Sequence, residues 1–348
     1  MKMMKHALIC LLAAVMVLSL AACGQQSQST PAAPSSQASS GTPAPAPAPA
    51  LDYPKQDINL IIPYAAGGEG DNNFRCIEKK LSEVLDVNVV VEYLSGGNAI
   101  PGSQSVLDAK PDGYTIGLLA AGAVAIQPWM GTASYTLDDF QGIACLTASP
   151  ILFAINEKQP YDDFASWLEY AKANPGACTI SIGSLGGTPH LAIAKVLSAL
   201  GVEVTYVPYK GNAEAYAACL SGEVQGYVAV ASGVVGKEGL KTLANFGSNA
   251  GPGYEEVPNL ADLGLDPALA TDAFFGLLCS AKVDGEVVGY LSDLVGEIMA
   301  DPAVQANFDN LNLTRNYLPA DEFNTYMQEQ YVGYQKVIDE LGLAKPKA

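Results

Sequence analysis

The chain has 348 residues, 49% of them hydrophobic, and 36 acidic against 18 basic side chains give it a formal charge of −18. So acidic a surface argues against nucleic acid or anionic lipid as the partner. The only histidines are His6 and His190, which excludes a multi-histidine metal site.

Met1–Ala22 carries Lys2 and Lys5, then an apolar run from Ala7 to Leu20, and reads as a secretory signal too short for a stable membrane span. It ends in Leu20-Ala21-Ala22-Cys23-Gly24, the pattern of a bacterial lipobox, so cleavage before Cys23 and acylation of that cysteine are expected. Without the signal the charge is about −20. Residues 23–50 begin at that cysteine and continue as Ser, Gln, Thr, Pro, Ala and Gly, without a charge or an aromatic ring, and should form a tether with no core of its own. The remaining 300 or so residues suit two domains. Cys76, Cys145, Cys178, Cys219 and Cys279 are odd in number and lack C-x-x-C spacing, so buried thiols are expected.

Ile58–Pro63 is a run apolar but for Asn59 and suited to a strand covered on both faces. After it come Ala65-Ala66-Gly67-Gly68-Glu69-Gly70-Asp71, then Phe74, Ile77, Leu81, Val84 and Leu85 at helical spacing, with Asp71 the expected N-cap. Val87–Glu92 and Thr115–Leu119 are further strands. Ile151–Ile155, a helix around Ala165–Ala173, Thr179–Ile182, a helix over Pro189–Leu200, Val204–Val207 and a helix over Ala213–Leu220 continue the alternation. It predicts parallel sheets with helices on both faces. Trp167 falls on a core stripe, whereas Trp129 suits either a cleft or domain packing.

In such sheets ligands sit beyond the carboxyl ends of strands, where loops meet helix N-termini. Two loops fit best: the opening Tyr64–Asp71 stretch, and Gly183-Ser184-Leu185-Gly186-Gly187-Thr188-Pro189-His190, with Thr188 as expected N-cap. Both offer free backbone N–H groups at a positive helix end, which favours a carboxylate or phosphate. Ser95-Gly96-Gly97-Asn98 is a third candidate. The dinucleotide fingerprint fails because Gly68-Glu69-Gly70 leads into Asp71-Asn72-Asn73. No Walker A lysine follows either loop, and Ser184 is not in a G-x-S-x-G context. His190, near the start of a helix, should be neutral and act as a positioning or donor group.

These motifs, in order, resemble one family. Ile62-Pro63-Tyr64-Ala65-Ala66-Gly67-Gly68-x-x-Asp71, Pro111-Asp112-Gly113-Tyr114-Thr115, Ala173-Asn174-Pro175-Gly176, Gly183-x-x-Gly186-x-x-x-His190-Leu191, Val207-Pro208-Tyr209-Lys210-Gly211 and Ser221-Gly222-Glu223-Val224 are similar to those of the tripartite tricarboxylate transporter substrate-binding proteins, the Bug receptors. The resemblance implies a two-domain α/β Venus-flytrap receptor of the type II periplasmic-binding class with doubly wound sheets. Domain one would be residues 51–149 plus 271–348, and residues 150–270 an inserted domain two. It implies a monomeric, non-enzymatic receptor without cofactor or metal. Such a receptor passes a small carboxylate, a di- or tricarboxylate or an amino acid, to a large and a small integral-membrane subunit. The implied ligand contacts are Tyr64, Ala66, Gly67, Gly68, Asp71, Gly186, Thr188, His190 and Lys210. Glu69 departs from the family, which has a small residue there. Pointing inward it would repel a second ligand carboxylate and favour a ligand ammonium; the outward, merely surface orientation is the expectation. Gln225 for the usual Asp, and Cys279–Asp284 for a Pro-Ala-Gly-Thr-Pro phrase, also depart. Two alternatives remain: a surface hydrolase or lyase with His190 as base assisted by Ser184 or Asp71, and a receptor that signals to a membrane sensor kinase.

Overall fold

The computed structural model describes residues 51–251 and 253–345. The signal, Cys23 and the tether lie outside the described residues. β1 (Ile58–Ile62) buries every residue except Asn59, because it is flanked in parallel by β2 (Val89–Tyr93) and β3 (Thr115–Ala120) and covered by helices on both faces. Between them run α1 (Glu69–Leu85) and α2 (Ile100–Asp108). Phe74, Ile77, Leu81 and Leu85 form the buried stripe of α1; Val84, read onto the same stripe, is 41% exposed.

The expected short strand at Ile151–Ile155 is the second half of a 17-residue strand, β4 (Phe140–Asn156). After it come α3 (Phe164–Ala173), β5 (Thr179–Ile182), α4 (Thr188–Ala199), β6 (Thr205–Pro208), α5 (Asn212–Ser221), β7 (Gly226–Val230) and β8 (Leu240–Asn245). β9 (Asp272–Ser280), α6 (Gly285–Ala300), α7 (Pro302–Asn310), β10 (Arg315–Pro319) and α8 (Ala320–Glu340) complete the fold. The sheet runs β2-β1-β3-β9-β4-β7-β5-β6, with β8 and β10 also paired to β4.

The sheets are therefore mixed, which corrects the expectation of purely parallel pairing. β4 is antiparallel to every partner: β9 along residues 140–150, β10 along 144–147, and β7 and β8 from Ile151 onward. Only β2-β1-β3 and β7-β5-β6 are parallel. Each half of the sheet has its own cores. Ile77 and Leu81 of α1, Val295 and Ile298 of α6 and Phe308 of α7 meet Leu60, Ile116 and Leu277 on one face. Phe323 and Met327 of α8 meet Leu119, Phe274 and Leu278 on the other. In the second half, Trp167 of α3, fully buried, and Ile193 and Val196 of α4 meet Phe153 and Ile180. Ala215 and Cys219 of α5 cover Leu152 and Tyr227. The end of α8 crosses over: Tyr334, Val337 and Ile338 pack against Leu191 and Ala194 of α4. Trp129 serves packing, stacked on Tyr331 at 4.5 Å with its Nε1 donating to the Tyr331 carbonyl at 2.8 Å. The five cysteines within the described residues are free and buried, and burial pushes each thiol up.

One polar pair fastens α1 to β4. The Thr147 hydroxyl donates to Asn73 Oδ1 at 2.6 Å, and both residues are fully buried. Thr147→Val leaves that amide oxygen without a donor in the core, so the variant should lose about 1–3 kcal/mol in a urea titration with an unchanged m-value.

Candidate functional site

The first loop is organised by its glycines. After Ile62 the chain turns through a Gly68 N–H to Ala65 carbonyl bond of 3.0 Å, and Gly67 takes the left-handed φ of +77° that an L side chain would resist. Gly68 is the N-cap and Glu69 the first residue of α1, so the helix starts three residues before the position expected with Asp71 as its cap. Asp71 does not cap; it closes the loop from within the helix. The Gly67 N–H donates to Asp71 Oδ2 at 2.7 Å, while Oδ1 accepts from the Tyr93 hydroxyl at 2.7 Å and from Arg75 Nε at 3.1 Å. Burial alone would push this carboxyl up, but the hydrogen bonds from Gly67 and Tyr93 and the Arg75 charge outweigh it and hold the group below the usual carboxylate range. Both Asp71 oxygens are thus committed to the protein.

Tyr64 lies beneath this loop. Its hydroxyl accepts from the Ala120 N–H at 2.9 Å, and its ring packs edge-on to Phe275 at 5.5 Å. A Cβ on Gly70 would fall 2.6 Å from the Tyr64 ring, so close packing demands glycine there. Ala65, Ala66 and Gly67 are exposed, and the loop presents mainly backbone.

The second loop repeats this geometry. Gly186 has φ +73°, the Gly187 N–H reaches the Ser184 carbonyl at 3.3 Å, and Gly187 is the N-cap of α4. Thr188, expected to cap, is the first helical residue, and Pro189 is the second. His190 stands where Asp71 stands: the Gly186 N–H donates to its Nδ1 at 3.0 Å. The imidazole is 2% exposed, and burial drives it down to about 4, so it is neutral at physiological pH. With Nδ1 accepting, the proton resides on Nε2, and this buried N–H has no hydrogen-bond partner within the described structure. The ring meets Tyr206 edge-on at 4.6 Å, and Thr188 faces the Tyr334 hydroxyl. Met130 lies against the loop, 3.0 Å from where a Gly186 Cβ would stand.

The spacing Gly-Gly-x-x-Asp in one loop and Gly-Gly-x-x-His in the other therefore encodes one structure twice. In each, the N–H of the first glycine is satisfied by the side chain four residues on, and the first helical N–H groups, to which Pro189 contributes none, have no intrahelical acceptor. Such a terminus suits a carboxylate.

Lys210 belongs to a third loop, between β6 and α5. Its N–H meets Glu214 Oε2 at 3.3 Å, Gly211 caps α5, and Asn212 packs on Gly183, which places this loop beside the second. The Lys210 side chain is exposed and makes no salt bridge among the described residues. Ser95–Asn98 lacks the closing contact: Gly96, Gly97, Asn98 and Ala99 all take positive φ, and α2 starts only at Ile100.

Glu69 is less exposed than the surface charge expected of it. It is half-buried, and burial raises its carboxyl above the ordinary value, a rise that the nearby Ser149 side chain offsets only in part. Sequence reasoning also missed Tyr93 and Arg75, which lie 22 and 4 residues from Asp71 and carry no local signal of their role. The hydrolase constellation is not assembled, because the His190 Nδ1 is occupied by a backbone N–H, Nε2 carries the proton and Asp71 is bound elsewhere.

The family model described as "Tripartite tricarboxylate transporter family receptor" matches residues 73–343. A UPF0065 protein from the gbd 5′ region of Cupriavidus necator is 27% identical over 296 residues, 84% of this chain and 90% of its own. The crystal structure of a TctC solute-binding protein from Polaromonas, 28% identical, superposes with a TM-score of 0.77 over 83% of this chain and 99% of that one. A structure from Rhodopseudomonas palustris described with bound malate shares the fold at 21% identity, with a TM-score of 0.63 over 82% of this chain and 100% of its own.

Proposed function

The chain belongs to the tripartite tricarboxylate transporter receptor family, a family of extracytoplasmic solute receptors and not of enzymes, and on that premise we propose that it captures a small organic carboxylate between the Gly67–Asp71 and Gly186–His190 loops. The observation that carries this reading is the duplicated loop, two helix N-termini closed in the same way on the two halves of the sheet. Tyr64 supports the first loop from below, Ala66, Gly67 and Gly68 present its backbone, and Asp71 holds its shape. Gly186, Thr188 and His190 do the same in the second, and Lys210 adds a nearby cation. The malate bound by the Rhodopseudomonas protein fits the same chemical class.

The halves would close about the two chain passages near Ser149-Pro150 and Thr271-Asp272, where β4 and β9 leave one core for the other. Residues 51–149 with 271–348 then form one lobe and 150–270 the other. Closure excludes water and strengthens each amide contact with the ligand. The loaded receptor delivers its carboxylate to the large and small membrane subunits, held near them as a monomer by acylated Cys23 and the tether. Accordingly, Cys23→Ala should move the chain from the membrane fraction to the soluble extracytoplasmic fraction, read by fractionation and immunoblot; unchanged membrane retention would remove the anchor from this account.

Native mass spectrometry of the purified chain with mono-, di- and tricarboxylates and amino acids tests the receptor reading. One retained acid per chain is expected, and binding of none of the panel would defeat it.

A further inference from the structure

The two loops share a backbone but not a support. Gly67 is exposed, and a Cβ built on it would meet nothing within 4 Å, whereas its counterpart Gly186 is buried. Met130 covers it, with its methyl carbon 3.0 Å and its sulfur 3.5 Å from where a Gly186 Cβ would stand. The loops also differ in how firmly they close. Asp71 accepts from the Gly67 N–H, the Tyr93 hydroxyl and Arg75, three donors on one buried carboxylate. His190 accepts from the Gly186 N–H alone, a single bond between neutral groups. Hydrogen bonds to a charged group are roughly twice as strong as neutral ones, so the first loop is locked from within and the second is not.

Met130 is itself held from two directions. Beside it, Trp129 is stacked on Tyr331 of α8 and bonded to that residue's carbonyl. The Met130 carbonyl accepts from the Lys345 N–H at 3.2 Å, and a Cβ on Gly131, whose φ is +64°, would stand 2.7 Å from the Lys345 carbonyl oxygen. The chain beyond α8 is tied back to that helix by the Leu343 N–H, which donates to the Ile338 carbonyl at 3.0 Å. Leu341 and Leu343 then join Trp129 and Met130 in the cluster around Leu191 and Ala194 of α4.

We infer that Met130 is the positioning residue of the second carboxylate loop, and that residues 341–345 belong to the binding apparatus because they fix Met130 against Gly186. This rests on the receptor reading above and extends it. A left-handed glycine closed by one neutral hydrogen bond needs a wall, and the Met130 side chain fills the space into which Gly186 would move. Its flexible, polarisable thioether suits such an irregular gap. Without it the loop opens locally, its amides leave the common ligand, and the apparent affinity falls by the fraction of chains still closed.

Amide hydrogen exchange of the ligand-free chain tests this, together with isothermal titration against the panel of carboxylates and amino acids, malate first. Met130→Ala should speed exchange about tenfold in residues 186–191 and leave residues 67–72 unchanged. Its affinity for the acid that the wild type binds should fall about tenfold. Met130→Leu refills the space and should return both values to within about twofold of the wild type. A chain ending at Glu340 should reproduce the Met130→Ala pattern. Unchanged exchange and affinity in Met130→Ala would overturn the inference and leave the receptor reading standing. Exchange accelerated equally in both loops would do the same, since it would mark a general loss of stability. A wild type that binds none of the panel would overturn both. Should the shortened chain not fold, the two Met130 variants decide.

Discussion

Replacing Asp71 by Ala should weaken carboxylate binding at least tenfold, roughly the effect of losing one well-made hydrogen bond to a charged group. Three donors converge on this side chain, and the Gly67 N–H among them fixes the loop that presents the first ligand amides. Without the carboxylate the N–H must find water, the left-handed turn at Gly67 is no longer held, and Tyr93 loses its acceptor. The fold should lose about 2–3 kcal/mol, with the Arg75 contribution discounted because that side chain is half-exposed. The sign with pH is fixed. Asp71 is held below the usual carboxylate range in the folded chain, so its stabilisation is fully present above the unfolded value and is lost as pH falls through the folded one. The gap between wild type and Asp71→Ala should narrow on acidification in urea titrations, and a gap that stayed constant to pH 3 would contradict the assigned role.

His190 gives the second large effect. Its folded value of about 4 lies below the ordinary 6.5, so the unfolded chain takes up a proton first and stability falls as pH drops from about 6.5 to about 4. The shift corresponds to about 3 kcal/mol across that window. Protonation of Nδ1 would also expel the Gly186 N–H and open the second loop, so ligand affinity should fall in the same range. His190→Gln retains an acceptor for Gly186 and cannot titrate, so its stability should be flatter between pH 6.5 and 4. Parallel curves for the two proteins would show that the buried imidazole does not set the acid response.

The glycine loops were legible because their geometry is local. A positive-φ glycine, a second glycine as N-cap and a closing side chain four residues on leave a spacing in the sequence, and Gly67-Gly68-x-x-Asp71 and Gly186-Gly187-x-x-His190 share it. The caps were misread because Asp71 and Thr188 are good capping residues whose helices start earlier, on glycines that leave the loop room to turn. β4 was half missed. Thr147, Ser149 and Pro150 interrupt the apolar pattern where the strand passes from one half of the sheet to the other, and only its tertiary partners make it continuous. The surroundings of Glu69 include Ser149, 80 positions along the chain, and the Asn73–Thr147 bond joins partners 74 positions apart. Neither distance leaves a periodic signal, whereas the buried stripes of α1 and α3 do.

The shared cradle itself is tested most directly by hydrogen exchange of the backbone amides with and without a saturating acid retained in the binding panel. The account predicts slowed exchange in two separate segments, residues 67–72 and 186–191, with little change in the Ser95–Asn98 loop. Protection confined to one of the two segments, or to neither, would contradict a ligand held between them.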